Sequence, residues 1–295
     1  MRILIFVAAM ACMQAVAAAV PASQPDDEAT LTASAPSRAH PADARPAKNR
    51  PDPAAARLIE APPFGLVTVY APQGAARGLL LFASGDGGWN LGVRDMAHTA
   101  AGQGLWVAGF DMPKFLKTVD ANAGGCTDSG ALLAQLAARI ERDLGLPRAL
   151  PVLLAGYSSG ATLVYAALAQ APQGTFAGGL SLGFCPDLMF HRTFCPGAGR
   201  LTSFMQTSPF RSPVFNRAER LGAPWRVLQG DIDQVCAPHY APDYAQGADG
   251  ARVWPLPHVG HGFGVPHNWM PQYREALESL LPAPHATMGA PSPER

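Results

Sequence analysis

One stretch, PVLLAGYSSGATLVYAALAQ at residues 151–170, restricts the possible folds more than any other. An apolar run of strand character ends in Gly-Tyr-Ser-Ser-Gly and passes at once into an apolar run of helical character. Strand-to-helix connections usually take about two to six residues; here the turn is compressed around one serine. Gly156 and Gly160 frame Ser158 in a G-x-S-x-G pattern, and small residues two before and two after the serine give such a turn its space. The pattern places Ser158 at a helix N-terminus as a candidate nucleophile. The backbone N–H of Ser159 and the helix dipole then stand ready for a developing oxyanion. Ser159 itself is the competing serine, but it lacks the symmetrical glycines.

A nucleophilic serine needs a base and a group to orient that base, and in strand-turn-helix sites of this kind acid and histidine follow in that order. WRVLQGDIDQVC offers Asp231 and Asp233 at the C-terminal end of an expected strand, where α/β sheets carry their ligand sites. Gly230-x-x-Asp233 has the spacing of a triad acid, so Asp233 is preferred over Asp231, which fits a turn or cap. PLPHVGHGFG supplies His258 and His261. His261, between Gly260 and Gly262, has the local freedom to reach back over the sheet edge, whereas His258 lies nearer the strand. A second oxyanion donor is expected from SGDGGW, Ser84–Trp89, after the strand RGLLLFASG, and the backbone N–H of Asp86 is the choice. A plain Gly-rich turn would look similar. No phosphate-binding G-x-x-x-x-G-K-[ST] occurs, and neither a cofactor nor a metal site is expected.

Strand-like and helix-like segments alternate from GLVTVYAP to MPQYREALESLL, the pattern of βαβ crossovers around a mostly parallel sheet with helices on both faces. SGALLAQLAARIERDLG reads as an amphipathic helix closed by Gly145. Residues 186–222 interrupt the alternation and carry Phe190, Phe194, Phe204, Met205, Phe210 and Phe215. They either cover the site, where they could meet acyl chains, or pack on the core.

The chain of 295 residues holds 22 basic and 22 acidic side chains, which leaves no electrostatic footprint for nucleic acid. Residues 1–19 read as an export signal: Arg2, an apolar run from Ile3, and small residues at Ala17 and Ala19. A membrane anchor fits less well because Gln14 interrupts the run. Cys12 follows AAMA, a poor lipidation box, and its lipidation stays open. Residues 20–57 form a Pro- and Ala-rich linker; within 21–57 lie 7 Pro, 11 Ala and a single large aliphatic side chain, so there is almost nothing to bury. The domain is expected over 58–282 and a disordered tail over 283–295. Cys126, Cys185, Cys195 and Cys236 match no zinc spacing, and an even number in an exported chain argues for two disulfides with the pairing open.

With FASGDGGW, GYSSGA, LQGDIDQVC and HVGHGF in this order, residues 60–282 resemble the VirJ/AcvB family of bacterial periplasmic α/β-hydrolases. The resemblance implies the α/β-hydrolase fold, a Ser158-His261-Asp233 triad, periplasmic residence with possible inner-membrane association, and hydrolysis of aminoacyl-phosphatidylglycerol at a membrane surface. Some members are linked to type IV secretion. A general carboxylesterase or lipase and a non-catalytic periplasmic virulence factor are the alternatives. If the substrate carries an ammonium beside its scissile carbonyl, a carboxylate is expected there. Asp111 in GFDMPKF is the first choice and Asp86 the second; a capping role for Asp111 is equally open.

Overall fold

The computed structural model describes residues 54–281, except 56, 123, 148, 149, 209 and 210. They belong to one compact unit, Lys48–Arg295; the other, Met1–Ala47, lies outside the described residues, as do the export-signal, Cys12 and tail readings and most of the linker. The linker's last residue, Arg57, already begins a strand.

Among the described residues of the unit there are ten strands and six α-helices. The strands are β1 (Arg57–Glu60), β2 (Leu66–Tyr70), β3 (Gly78–Ala83), β4 (Leu105–Phe110), β5 (Val152–Tyr157), β6 (Gly178–Leu182), β7 (Ser203–Gln206), β8 (Ser212–Phe215), β9 (Trp225–Gly230) and β10 (Arg252–Leu256). The helices are α1 (Leu91–Gly102), α2 (Met112–Ala121), α3 (Ser129–Leu144), α4 (Ser159–Gln170), α5 (Tyr240–Ala245) and α6 (Met270–Glu278). Eight strands make one sheet in the order β1-β2-β4-β3-β5-β6-β9-β10. Only β1 with β2 and β2 with β4 run antiparallel; every other pair is parallel.

The strand residues are apolar on both sides, as a sheet covered on both faces requires. Leu79, Leu81 and Ala83 of β3 join the core under α2, α3 and α4, while Leu80 and Phe82 face the layer of α1 and α6. Each fully buried Leu or Phe contributes roughly 1.5–3 kcal/mol relative to exposure. In α3, Leu133, Leu136, Ala137 and Ile140 fall on one buried stripe; Asp128 caps its start and Gly145, at φ 65°, ends it. The most buried helix is α4, with all twelve residues inside, which is why it shows no amphipathic pattern.

Besides β1, three features were not expected from the sequence. The helix α2 follows β4 directly, α5 is a single short helix after β9, and residues 186–222 contain a small hairpin of β7 and β8. Phe190, Phe194 and Phe215 of that excursion are buried, Phe204 and Met205 are exposed, and Phe210 lies outside the described residues. The excursion therefore divides between core packing and solvent. Two disulfides form, Cys126–Cys195 and Cys185–Cys236, the number expected and the pairing the sequence left open. No helix among the described residues is long and apolar enough to cross a membrane.

Candidate active site

Ser158 sits between β5 and α4 at φ 56°, ψ −120°, a strained conformation for a residue with a side chain. The two glycines around it are there for space. A methyl group on Gly156 would stand 2.1 Å from the carbonyl oxygen of Gly160, and one on Gly160 would stand 2.4 Å from the carbonyl oxygens of Ala83 and Ser84. Packing this close draws the turn against the end of β3. Gly85 then rests on the nucleophile, its absent Cβ only 3.1 Å from that of Ser158.

His261 Nε2 lies 2.9 Å from Ser158 Oγ, and its Nδ1 lies 2.9 Å from Asp233 Oδ2. The Asp233 side chain is fully buried and that of His261 is partly buried, so the interaction is shielded from solvent on the carboxylate side. Asp233 Oδ1 accepts the N–H groups of Val235 and Cys236, at 2.9 and 2.8 Å. Asp231 is exposed and turns the other way, accepting the N–H of His258 at 2.7 Å. The structure thus brings Ser158, His261 and Asp233 into one hydrogen-bonded line and keeps Asp231 and His258 out of it. The glycines flanking His261 are not sterically required: no neighbour comes closer than 3.9 Å to a Cβ at Gly260, and none lies within 4 Å at Gly262. The loop gets its shape instead from His258 and Phe263, both at positive φ.

The N–H groups of Ser159 and Asp86 engage no acceptor among the described residues, and both belong to segments that converge on Ser158. Trp89 anchors the Asp86 loop. Its indole fills the slot above Gly109, where a Cβ would come within 1.9 Å of the ring, and its Nε1–H donates to the Tyr70 hydroxyl at 3.3 Å.

Both carboxylate oxygens of Asp111 are engaged by backbone donors. Its Oδ1 accepts the Lys114 N–H at 3.0 Å, capping α2, and its Oδ2 accepts the Trp89 N–H at 3.1 Å, beneath Gly88. These bonds give Asp111 the capping role that the sequence left equally open, and with it a hold on the Asp86 loop. The signal was in the sequence: an Asp followed two residues later by Pro marks a helix start. Asp86, by contrast, is exposed and makes no side-chain hydrogen bond or ion pair among the described residues. Sequence reasoning also missed Tyr157, whose hydroxyl donates to the His261 carbonyl at 2.8 Å. Burial pushes that phenol above its usual range, and the charges of Asp233 and Asp86 push in the same direction.

One cluster of metal-ligand residue types stands among the described residues, Asp233, Cys236 and His261, but the Cys236 sulfur is bonded to Cys185 and offers no thiolate.

No protein-family model matches the sequence, and no curated protein does. Solved structures do. A Thermus thermophilus protein is 16% identical with a TM-score of 0.50, covering 77% of this chain and 99% of its own. A cold-adapted esterase from an Arctic intertidal metagenomic library is 14% identical, also at 0.50, covering 77% and 93%. An α/β serine hydrolase without a lid from Xanthomonas campestris is 22% identical at 0.46, covering 80% and 100%. At this identity the likeness speaks for fold alone, and with the sheet order described above the chain has the α/β-hydrolase fold.

Proposed function

We propose that the protein is a serine carboxylic-ester hydrolase of the VirJ/AcvB type, exported to the periplasm, that cleaves the aminoacyl ester of aminoacyl-phosphatidylglycerol. Ser158 Oγ attacks the ester carbonyl while His261 Nε2 takes its proton; Asp233 holds the imidazole in place. The N–H groups of Ser159 and Asp86 receive the oxyanion. Its collapse breaks the bond to the glycerol oxygen, which leaves with the proton from His261. Water then attacks the acyl-enzyme, giving its proton to His261, and the free amino acid departs as Ser158 recovers its hydrogen.

The observation that carries the hydrolase reading is the continuous chain of 2.9 Å contacts from Ser158 through His261 to buried Asp233. Asp86 supports the choice of substrate. An unpaired carboxylate beside a site that must gather negative charge opposes the transition state of a neutral ester. It favours a substrate that brings an ammonium next to its carbonyl. Two disulfides are compatible with an exported protein.

The test is to incubate purified protein with aminoacylated and plain phosphatidylglycerols and with a neutral short-chain ester, measuring free amino acid and free acid. Aminoacyl-phosphatidylglycerol should be the preferred substrate and Ser158→Ala inactive on all. Asp86→Asn should lower aminoacyl cleavage roughly tenfold or more, as loss of one charged contact would, and leave the neutral ester as fast or faster. Preference for neutral esters would replace this reading with a general esterase. Failure of a fluorophosphonate to label Ser158 would replace it with a non-catalytic one.

A further inference from the structure

Gln229 is the next-to-last residue of β9, in a strand otherwise made of apolar and small side chains at its buried end, and it is 2% exposed. A carboxamide so placed must find partners for its donors and acceptor. It finds three. Its Oε1 accepts the N–H of Phe184 at 2.9 Å, and its Nε2 donates to the carbonyl of Cys236 at 2.9 Å and to Asp233 Oδ2 at 3.3 Å. A flip of the amide would set N–H against N–H and oxygen against two oxygens, so these partners fix its orientation.

The partners are not a random set. Phe184 adjoins one half of the Cys185–Cys236 disulfide and Cys236 is the other half, so the amide's two backbone contacts complete a ring closed by that covalent bond. The same segment, running from Leu182 at the end of β6 to Cys185, touches two members of the triad and the helix behind the nucleophile. Leu182 accepts the Ser158 N–H at 2.9 Å, the absent Cβ of Gly183 faces the His261 ring at 3.3 Å, and the Cys185 carbonyl accepts the Thr162 hydroxyl of α4 at 2.7 Å. Cys236 also donates its own N–H to Asp233.

We propose that Gln229 is a positioning residue for Asp233, fixing the acid through its carboxamide against the disulfide-closed segment that also seats Ser158 and His261. It touches neither substrate nor reacting atoms and acts only through the carboxylate. The inference rests on the triad reading, and its test separates the two.

The measurement is the second-order rate at which a fluorophosphonate labels Ser158 in the full-length protein, the Gln229→Met variant, the Asp233→Asn variant and the double variant. Methionine keeps the volume and removes every hydrogen bond. Gln229→Met should slow labelling roughly tenfold or more in the native background and less than about twofold when Asn stands at 233, since a residue acting only through Asp233 has nothing left to position. Equal slowing in both backgrounds assigns Gln229 to general core structure and overturns the proposal, as does no slowing in either. Should Gln229→Met not fold, Gln229→Glu serves in the same pair of backgrounds. It keeps the acceptor for Phe184 and opposes Asp233 with a second carboxylate, so its defect should be relieved by Asp233→Asn; an unrelieved defect overturns the proposal. Labelling of Ser158→Ala at the native rate would instead dismiss the triad itself.

Discussion

The phenol of Tyr157 donates a 2.8 Å hydrogen bond to the backbone carbonyl of His261, so the residue before the nucleophile holds the loop that carries the base. Nucleophile and base are thereby linked twice, once through their side chains and once through this neighbour. Tyr157→Phe should lower kcat about three- to tenfold with KM little changed, the scale of one lost hydrogen bond. The phenol's pKa is raised in the fold, so its contribution to stability is complete below its ordinary value of 10.0 and is lost as pH rises through the higher folded value. Thermal melts should show the native protein's advantage over Tyr157→Phe constant at neutral pH and shrinking above about 10. An advantage that grows with alkalinity would contradict this sign.

At φ 56° the backbone of Ser158 lies where glycine is at ease and other residues are not. Ser158→Gly should therefore be more stable than Ser158→Ala by about 1 kcal/mol, although glycine ordinarily destabilises, and both should be inactive. Urea melts of the two variants decide it; an alanine variant at least as stable as the glycine one would show that the turn is unstrained.

The contact between Gly156 and Gly160 leaves no room for a methyl group. Gly156→Ala is expected to cost about 3 kcal/mol or more, or to prevent folding, whereas Gly262→Ala, beside His261 but in open space, should change stability by less than about 0.5 kcal/mol. Comparable melting of the two variants would refute the steric account.

Asp111→Asn keeps one amide oxygen for two backbone donors, so the Asp86 loop loosens whatever the substrate. Aminoacyl and neutral esters should lose turnover by the same factor, several-fold, in contrast to the selective loss expected for Asp86→Asn. A loss confined to the aminoacyl substrate would return Asp111 to the binding role that its sequence position suggested.

What could be seen in the sequence and what could not follow from the range of the forces involved. The turn at Ser158 is set by contacts within a few residues, and its steric needs leave glycines that anyone can find. The alternation of β3, α1 and β4 is equally local, written in buried apolar runs. The helix α2 is harder to see because its Asp-Met-Pro start suits a cap and a binding carboxylate equally, and only the contacts of Asp111 with Lys114 and Trp89 mark it as a cap. The strands β7 and β8 have four residues each, and those of β7 are largely exposed, so no hydrophobic period marks them. Disulfide pairing, the engagement of Tyr157 with His261, and the threefold contacts of Gln229 depend on which loops meet across the sheet. Residues at 157 and 261, or at 184, 229 and 236, carry no local trace of that meeting.

The helix behind the nucleophile has no side in water: every residue of α4 is buried, and its far end is tied by the Gln170 carboxamide to Thr127, Ser129 and Cys195. Amides of such a helix exchange their hydrogens with solvent only when the whole molecule opens. The serine is therefore presented for as long as the chain is folded and withdrawn only when it is not, so heat inactivation and global unfolding should trace a single curve, with no temperature at which a folded but silent form accumulates.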